Sequence, residues 1–486
     1  MRELPQKRGG AMDEGDAENG FEHIEVVEEE VCMVKPAAEK TSLKILGQDE
    51  LGAKLESGIY QYLSNLDLCW RGAPYTRRIL FYERGCADGL PRQWQETAIV
   101  ELKGSLARVL QEFYPAAGRL VECVGRPFIH CDNQGVEFIV AHMNAPLSLL
   151  SSSRFNPRPF FSSLIRRYPL PKTPSHLLPL VSIQVTKLDC GGLAIGMSFS
   201  NVLADGHSIW QFMNSWAACA RNEPLSVIPY HRREALTVEY SSHATTNGFS
   251  LPVSNDISES QRSPLSVKIC KFLHVTLSMI DRMKEQASSN CDAVGEAYFS
   301  NYDVLCAMLW KAVVIAKAEW KLGENLTSIC VLGDMRFRVK PELPRGYFGN
   351  ATIFDHASST QSEVENGPFH VIAGKIHEAC RACNEPRLWA MLKLLEEAPD
   401  HRFDRDTMPC VGSSINVISS PKFKVYDVDF GWGNPLAVRT AYTSMSEDIV
   451  LFPGSNGGID VCLFFPTSLA EKILDIFHKL ISNTFI

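Results

Sequence analysis

A carboxamide and a carboxylate sit four residues apart in the stretch Ser200-Asn201-Val202-Leu203-Ala204-Asp205-Gly206. Side chains of this kind at the end of a strand can orient a hydroxyl group, and many sites lie at such turns, although a plain connecting turn reads the same way. Asn201 cannot take the proton of a hydroxyl it orients, because a carboxamide nitrogen has no basic lone pair. A neutral imidazole, with a pKa near 6.5, can do so at cellular pH. The nearest imidazole in sequence is His207, two residues past Asp205. It reads either as a surrogate base or as a polar residue near a helix start. None of the 13 histidines has an Asp four residues on. A second feature is Asp429-Phe430-Gly431-Trp432-Gly433, which fits a tight turn with Trp432 packed into an apolar seam. P-loop, G-x-S-x-G and H-E-x-x-H signatures are absent, and Gly431-x-Gly433 lacks the third glycine of a dinucleotide fingerprint.

The elements that must position these residues can be read from periodicity. Val181 to Leu188 and Leu193 to Phe199 read as two strands joined at Gly191-Gly192. After Asp205-Gly206, the residues Ile209, Phe212, Met213, Trp216 and Ala220 fall on one helical stripe. Asn201 to Gly206 is therefore a strand-to-helix turn. Upstream, Ile24 to Val34 reads as a strand broken at Pro36, and Gln95 to Phe113 as an amphipathic helix stopped at Tyr114-Pro115. Downstream, Val267 to Val275 reads as a strand. Ser278-x-x-Asp281, Ser300-x-x-Asp303 and Ser468-x-x-Glu471 each resemble a capping box. Residues 1–21 read as a disordered acidic leader, and the Ser-rich stretch 241–266 as an exposed crossover linker. This gives an expected N-terminal domain over 22–240 and a C-terminal domain over 267–486.

Composition excludes several classes. The chain of 486 residues holds 48 Lys and Arg against 56 Asp and Glu. Residues 1–30 carry 10 of the acids and 3 of the bases, so the remaining 46 acids and 45 bases nearly cancel. No basic excess is present to neutralise nucleic-acid phosphates. Residues 22–30 hold five Glu and no Lys or Arg, which marks a charged strand face and a protected sheet edge. Apolar runs are far too short for a membrane span. Fifteen cysteines without a signal peptide read as reduced, mostly buried thiols of a cytoplasmic protein. Cys380-x-x-Cys383 reads as two thiols on one helix face rather than a metal or redox site, and no metal is expected.

Taken in order, the motifs resemble the plant BAHD family of acyl-CoA-dependent acyltransferases, marked by an H-x-x-x-D-G turn near mid-chain and a D-F-G-W-G segment near the C-terminus. The second is intact as Asp429 to Gly433, and the first departs at one residue, where Asn201 stands in the histidine position. Other family-like pieces are Tyr62 to Asp67, Tyr114 to Leu120, the segment around Ala307 and Trp310, Asp334 to Arg338, Gly346 to Asn350, Pro453-Gly454 and Gly457-Gly458. Ser420 stands where many members have Trp. The resemblance implies an α/β fold of two chloramphenicol-acetyltransferase-like domains, each a mixed β-sheet flanked by helices, with the active channel at their interface. It implies transfer of an acyl group from acyl-CoA to a small alcohol or amine acceptor, with the CoA ester a co-substrate and no tightly bound cofactor. It assigns Asp205 and Gly206 to holding the turn in shape, Asp205 through an ion pair, and Asp429, Phe430, Gly431, Trp432 and Gly433 to structure. A polyanionic CoA needs a local basic cluster in a nearly neutral body. Lys268, Lys271, Arg282 and Lys284 are the candidates, with solvated surface residues the other reading. A monomer is expected. The alternatives are a non-catalytic member that supports fatty acid elongation at the endoplasmic reticulum, as the eceriferum branch does, and a plain binding protein for a CoA ester or phenolic ligand.

Overall fold

The computed structural model describes residues 21, 23–37, 59–83, 91–123, 125–168, 173–237, 268–288, 299–319, 326–398, 415–441, 443–444 and 447–482. Of the expected acidic leader only Phe21 is described, and the expected crossover 241–266 lies outside the described residues.

Two mixed sheets carry the fold. The first has six strands in the order Val26–Val34, Val136–Met143, Val181–Leu188, Leu193–Phe199, Thr76–Tyr82 and Ala437–Thr440. Its pairings are antiparallel except between Val136–Met143 and Val181–Leu188. The second has seven, in the order Thr352–Thr360, Leu326–Asp334, Ile415–Ile418, Asp448–Pro453, Ile459–Phe465, Lys268–Val275 and Thr443–Ser444. Ile415–Ile418 is parallel to both of its neighbours there. The sheets are not confined to sequence halves: Ala437–Thr440 comes from late in the chain yet pairs with Thr76–Tyr82, and Thr443–Ser444 returns to the second sheet.

The expected hairpin forms as Val181–Leu188 and Leu193–Phe199, paired in register from Val181↔Phe199 to Lys187↔Leu193. Gly191 in its turn has φ of +91°, a conformation glycine adopts without the steric cost of a Cβ. Leu193–Phe199 is buried at every position, as a strand covered on both faces must be. One face packs under the helices Pro91–Val109 and Gly206–Ala220, where Leu102, Leu106, Phe212 and Trp216 join Ile195 and Met197 in one core. The Trp216 indole N–H reaches Ser105 Oγ at 3.0 Å and the Leu102 carbonyl at 3.3 Å. The second sheet buries one face under Leu277–Ser288, Asn301–Glu319, Phe369–Ala382 and Thr467–Ser482. From its other face, Cys270, Val450, Phe452, Cys462 and Phe464 join the core of the first sheet. The two sheets thus meet through a shared apolar layer.

The acidic first strand lies at a sheet edge, as its charge pattern predicts, with a bulge between Glu28 and Glu30. Its glutamates are tied down: Glu28 to Arg166 at 3.2 Å, Glu29 to Lys187 at 2.7 Å and Glu30 to Lys103 at 2.7 Å. Of the three expected caps, only the one at Ser300 forms as read, with the Asp303 backbone N–H donating to Ser300 Oγ at 3.2 Å and the Ser300 N–H to Asp303 Oδ2 at 2.9 Å. Leu277–Ser288 begins one residue ahead of Ser278, and Thr276 Oγ1 accepts from the Met279 N–H at 3.2 Å. Thr467–Ser482 likewise begins ahead of Ser468. In both, an earlier residue starts the helix and moves the serine inside it. Among the described residues no helix is long and apolar enough to cross a membrane.

Candidate functional site

The strand Leu193–Phe199 runs straight into the turn 200–205 and then into Gly206–Ala220. Asp205 is the helix N-cap, its Oδ1 accepting from the Ser208 N–H at 3.0 Å. Its carboxylate is also clamped by Arg336, with Nη1 to Oδ2 and Nη2 to Oδ1 both at 2.9 Å. The Ala351 N–H and Thr352 Oγ1 donate to Oδ2 at 2.9 and 3.1 Å. A carboxylate so fully committed is a fastener: it satisfies a buried guanidinium and pins the turn to the strand Thr352–Thr360. Gly206 lets the turn pack closely, since a Cβ there would lie 2.8 Å from the Phe423 ring and displace it.

Asn201 is fixed at both ends of its amide. Oδ1 accepts from Thr76 Oγ1 at 2.6 Å, and Nδ2 donates to the Pro74 carbonyl at 2.7 Å. Its own carbonyl accepts from Asn350 Nδ2 at 2.9 Å. The same Asn350 amide donates to Asp67 Oδ1 at 2.9 Å. Asp67 is fully buried, takes the Ser64 N–H and hydroxyl on its other oxygen at 2.7 and 2.8 Å, and pairs with Arg233 at 3.2 Å. Arg233 in turn donates to the Leu203 carbonyl at 2.7 Å. The turn carbonyls are thereby held by side chains from segments far apart in sequence.

His207 projects from the first turn of the helix, about two-fifths exposed, and its Nδ1 lies 2.9 Å from Asp334 Oδ2. Asp334 Oδ1 accepts from Arg336 Nη1 at 3.0 Å. Burial works to raise the Asp334 carboxyl, but the His207 contact and the Arg336 charge outweigh it and hold the group well below the usual carboxylate range. A chain His207, Asp334, Arg336, Asp205 therefore runs along the N-terminal end of the helix.

Asp429 to Gly433 forms the tight turn that its composition predicts. Asp429 Oδ1 accepts the N–H groups of Gly431 and Gly433, both at 2.8 Å, and the two glycines have φ of +100° and +96°. Phe430 is buried with its ring 4.8 Å from that of Trp216, and Trp432 lies 5.7 Å from Tyr82 and 5.4 Å from Trp94. Arg221 donates to the Asp429 carbonyl. The segment thus packs against both the helix Gly206–Ala220 and the strand Thr76–Tyr82.

The four basic candidates do not form one cluster. Lys268 is buried, whereas Lys271 is half-buried and pairs with Glu471 at 2.8 Å. Three residues apart on one strand, they project from opposite faces. Arg282 and Lys284 lie on Leu277–Ser288, exposed and half-buried respectively. Cys380 lies in the helix Phe369–Ala382 and Cys383 caps its end; burial pushes both thiols up to about 12. Among the described residues no group of His, Cys, Asp and Glu is arranged to hold a metal.

Sequence reading assigned no roles to Asp67, Thr76, Arg233, Arg336 or Asn350. A signal existed for three of them, since Asp67, Arg336 and Asn350 fall inside the family-like segments 62–67, 334–338 and 346–350. Thr76 and Arg233 carry no such mark.

The model of the Transferase family matches residues 60–481. A hydroxycinnamoyl-CoA:piscidic acid hydroxycinnamoyltransferase of Actaea racemosa is 27% identical over 403 residues, covering 79% of this chain and 88% of that protein. Putrescine hydroxycinnamoyltransferase 1 of Oryza sativa subsp. japonica is 30% identical, covering 86% and 94%. BAHD acyltransferase DCR of Arabidopsis thaliana is 29% identical, covering 87% and 88%. The fold is similar to that of vinorine synthase, with a TM-score of 0.66 at 22% identity over 93% of this chain and 98% of that one. It is also similar to F. sporotrichioides TRI101 solved with coenzyme A and T-2, with a TM-score of 0.69 at 18% identity over 86% and 97%. The matched length, the two mixed sheets and the clamped turn converge on one assignment: this chain belongs to the Transferase family as a BAHD acyltransferase, an acyl-CoA-dependent O- or N-acyltransferase.

Proposed function

We propose that this protein transfers an acyl group of the hydroxycinnamoyl type from its CoA thioester to a small acceptor without a base at position 201. The observation that carries this reading is the pairing of a complete turn scaffold, Asp205 clamped by Arg336, with an Asn201 amide bonded at both ends. The acceptor oxygen or nitrogen adds to the thioester carbonyl, and the tetrahedral adduct then expels CoA thiolate. The acceptor proton leaves to solvent or to the departing thiolate. Proximity and orientation carry the rate, and an amine acceptor, intrinsically more nucleophilic, depends least on a base.

A second reading places the base at His207. Its Nδ1 contact with Asp334 would leave Nε2 as the nitrogen that can accept a proton. Of the four basic candidates, Lys268 is the one buried on the strand face that carries Cys270 and Phe272, and the reading assigns it to the CoA ester. It further takes 22–240 and 267–486 as the two domains and the protein as a cytoplasmic monomer, with the CoA ester a substrate and no tightly held cofactor. The comparisons do not favour the non-catalytic alternatives.

The test is CoA release by the purified chain with 4-coumaroyl-CoA and a panel of alcohols and amines. Slow release is expected, and Asn201→His should raise it by about 10²–10⁴-fold, the usual worth of a positioned base. Release that falls to background in His207→Gln would move the base to His207. No release from either the natural chain or Asn201→His would end the acyl-transfer reading.

A further inference from the structure

Three successive carbonyls of the turn are taken by side chains. Asn350 Nδ2 donates to that of Asn201 at 2.9 Å, while Arg233 Nη1 and Nη2 donate to those of Val202 and Leu203 at 3.4 and 2.7 Å. Both residues also reach a single oxygen, Asp67 Oδ1, Asn350 at 2.9 Å and Arg233 at 3.2 Å. The two donors therefore stand on the same side of the turn. Asp67, Arg233 and Asn350 are all buried, so that side is closed by protein.

A trans peptide is planar, and its N–H points opposite to its C=O. Drawing the carbonyls of residues 201 to 203 toward Asp67 thus turns the N–H groups of Val202, Leu203 and Ala204 to the other side. The Leu203 N–H is used within the turn, donating to the Ser200 carbonyl at 3.0 Å. Those of Val202 and Ala204 have no acceptor among the described residues, although both residues are buried. Buried main-chain N–H groups without a partner are rare in native proteins. Here two of them flank Leu203, and the first follows directly on Asn201, the position at which the resembled family carries its base. They mark a place for an acceptor atom on a ligand.

We infer that the main-chain N–H groups of Val202 and Ala204 receive the oxyanion of the acyl transfer, and that Asn350 and Arg233 are positioning residues that aim them. This rests on the acyl-transfer reading. When the acceptor oxygen or nitrogen bonds to the thioester carbon, the carbonyl π pair moves onto the carbonyl oxygen, and the two N–H groups donate to that oxygen. The pair then returns, the C–S bond breaks and CoA leaves as the thiolate, with the acceptor proton passing to solvent or to that thiolate. Amides held from behind by buried side chains need no rearrangement as the charge develops. The site thereby works on the oxygen of the adduct, a task that is independent of a base at position 201.

Infrared difference spectra of the full chain with 4-coumaroyl-CoA, isotope-labelled at the thioester carbonyl, test this without requiring turnover. The carbonyl stretch of the bound thioester is expected to fall below its frequency in water. Exchange of Val202 for α-hydroxyisovaleric acid, which replaces the N–H by an ester oxygen and keeps the side chain, should remove most of that fall. Asn350→Ala should remove part of it, and affinity for free CoA should stay within a few-fold of the parent in both. A bound carbonyl that keeps its frequency in water, or a fall that persists in the ester variant, overturns the inference. Failure of the natural chain to bind the thioester at all, read by isothermal titration, removes instead the acyl-transfer reading as proposed, and the inference that rests on it.

Discussion

The amide of Asn201 spends its oxygen on Thr76 and its nitrogen on the Pro74 carbonyl, so the residue locks the end of one strand to the start of another. An imidazole in that place would trade this double tether for a basic nitrogen, which is why Asn201→His tests chemistry and geometry together. Asp205 has the opposite character, with every contact devoted to holding the turn. Removing it as Asp205→Ala leaves the buried Arg336 with Asp334 alone for a carboxylate partner, and loss of one member of a buried ion pair costs up to about 3–5 kcal/mol. Urea unfolding should show that loss, and a loss below about 1 kcal/mol would mean that the existing pair with Asp334 suffices for Arg336.

At the scale of elements, the helix Gly206–Ala220 is held at both ends. Its start is clamped to the strand Thr352–Thr360 through Asp205 and Arg336, and its far turn supports Asp429 to Phe430 through Arg221 and Trp216. Phe430 touches both Trp216 and Tyr82, so the late turn joins a helix and a strand that are more than 200 residues earlier in the chain. Phe430→Ala should lower stability by about 3–5 kcal/mol, the usual cost of removing a buried aromatic ring. CoA release at temperatures well below unfolding should stay within a few-fold of the parent. A large loss of turnover in a well-folded variant would instead place the segment in the reaction.

At the scale of the molecule, acid sensitivity has an identifiable contributor on the second sheet. Burial pushes His356 down to about 4, with Arg387 adding to it and Asp355 opposing it. Because the folded value lies below the unfolded one near 6.5, the unfolded chain binds more protons between those values. Stability from this group is then fully present above about pH 6.5 and is lost as pH falls toward 4. The difference is on the order of 3 kcal/mol. Urea midpoints measured from pH 4 to 7 should fall less steeply in His356→Gln than in the parent, and identical slopes would remove His356 from the account.

The amino-acid sequence by itself determines whatever depends on neighbours along the chain. The hairpin 181–199, the helix after Gly206 and the capping box at Ser300 all follow from short-range periodicity and from local hydrogen bonds, and all three form as read. The acidic strand was legible as a charged edge for the same reason. Asn201 was legible in the same way, as a one-residue departure from the resembled motif. The tertiary structure alone decided which distant groups meet. Nothing local in Asn350 or Arg233 shows that they donate to the carbonyls of residues 201 to 203, or that Asp67 holds the two donors together. Nor does any local signal send the strand Ala437–Thr440 back to Thr76–Tyr82. The basic candidates show the same limit, for Lys268 and Lys271 are close in sequence but are separated by the pleat of their strand. Arg78 is the sharpest case: in sequence it is one of 48 basic residues. Tertiary packing buries it, with the Phe452 ring of the second sheet 5.0 Å away and, among the described residues, no paired carboxylate, because a cation's cost depends on what surrounds it and not on what precedes it in the chain.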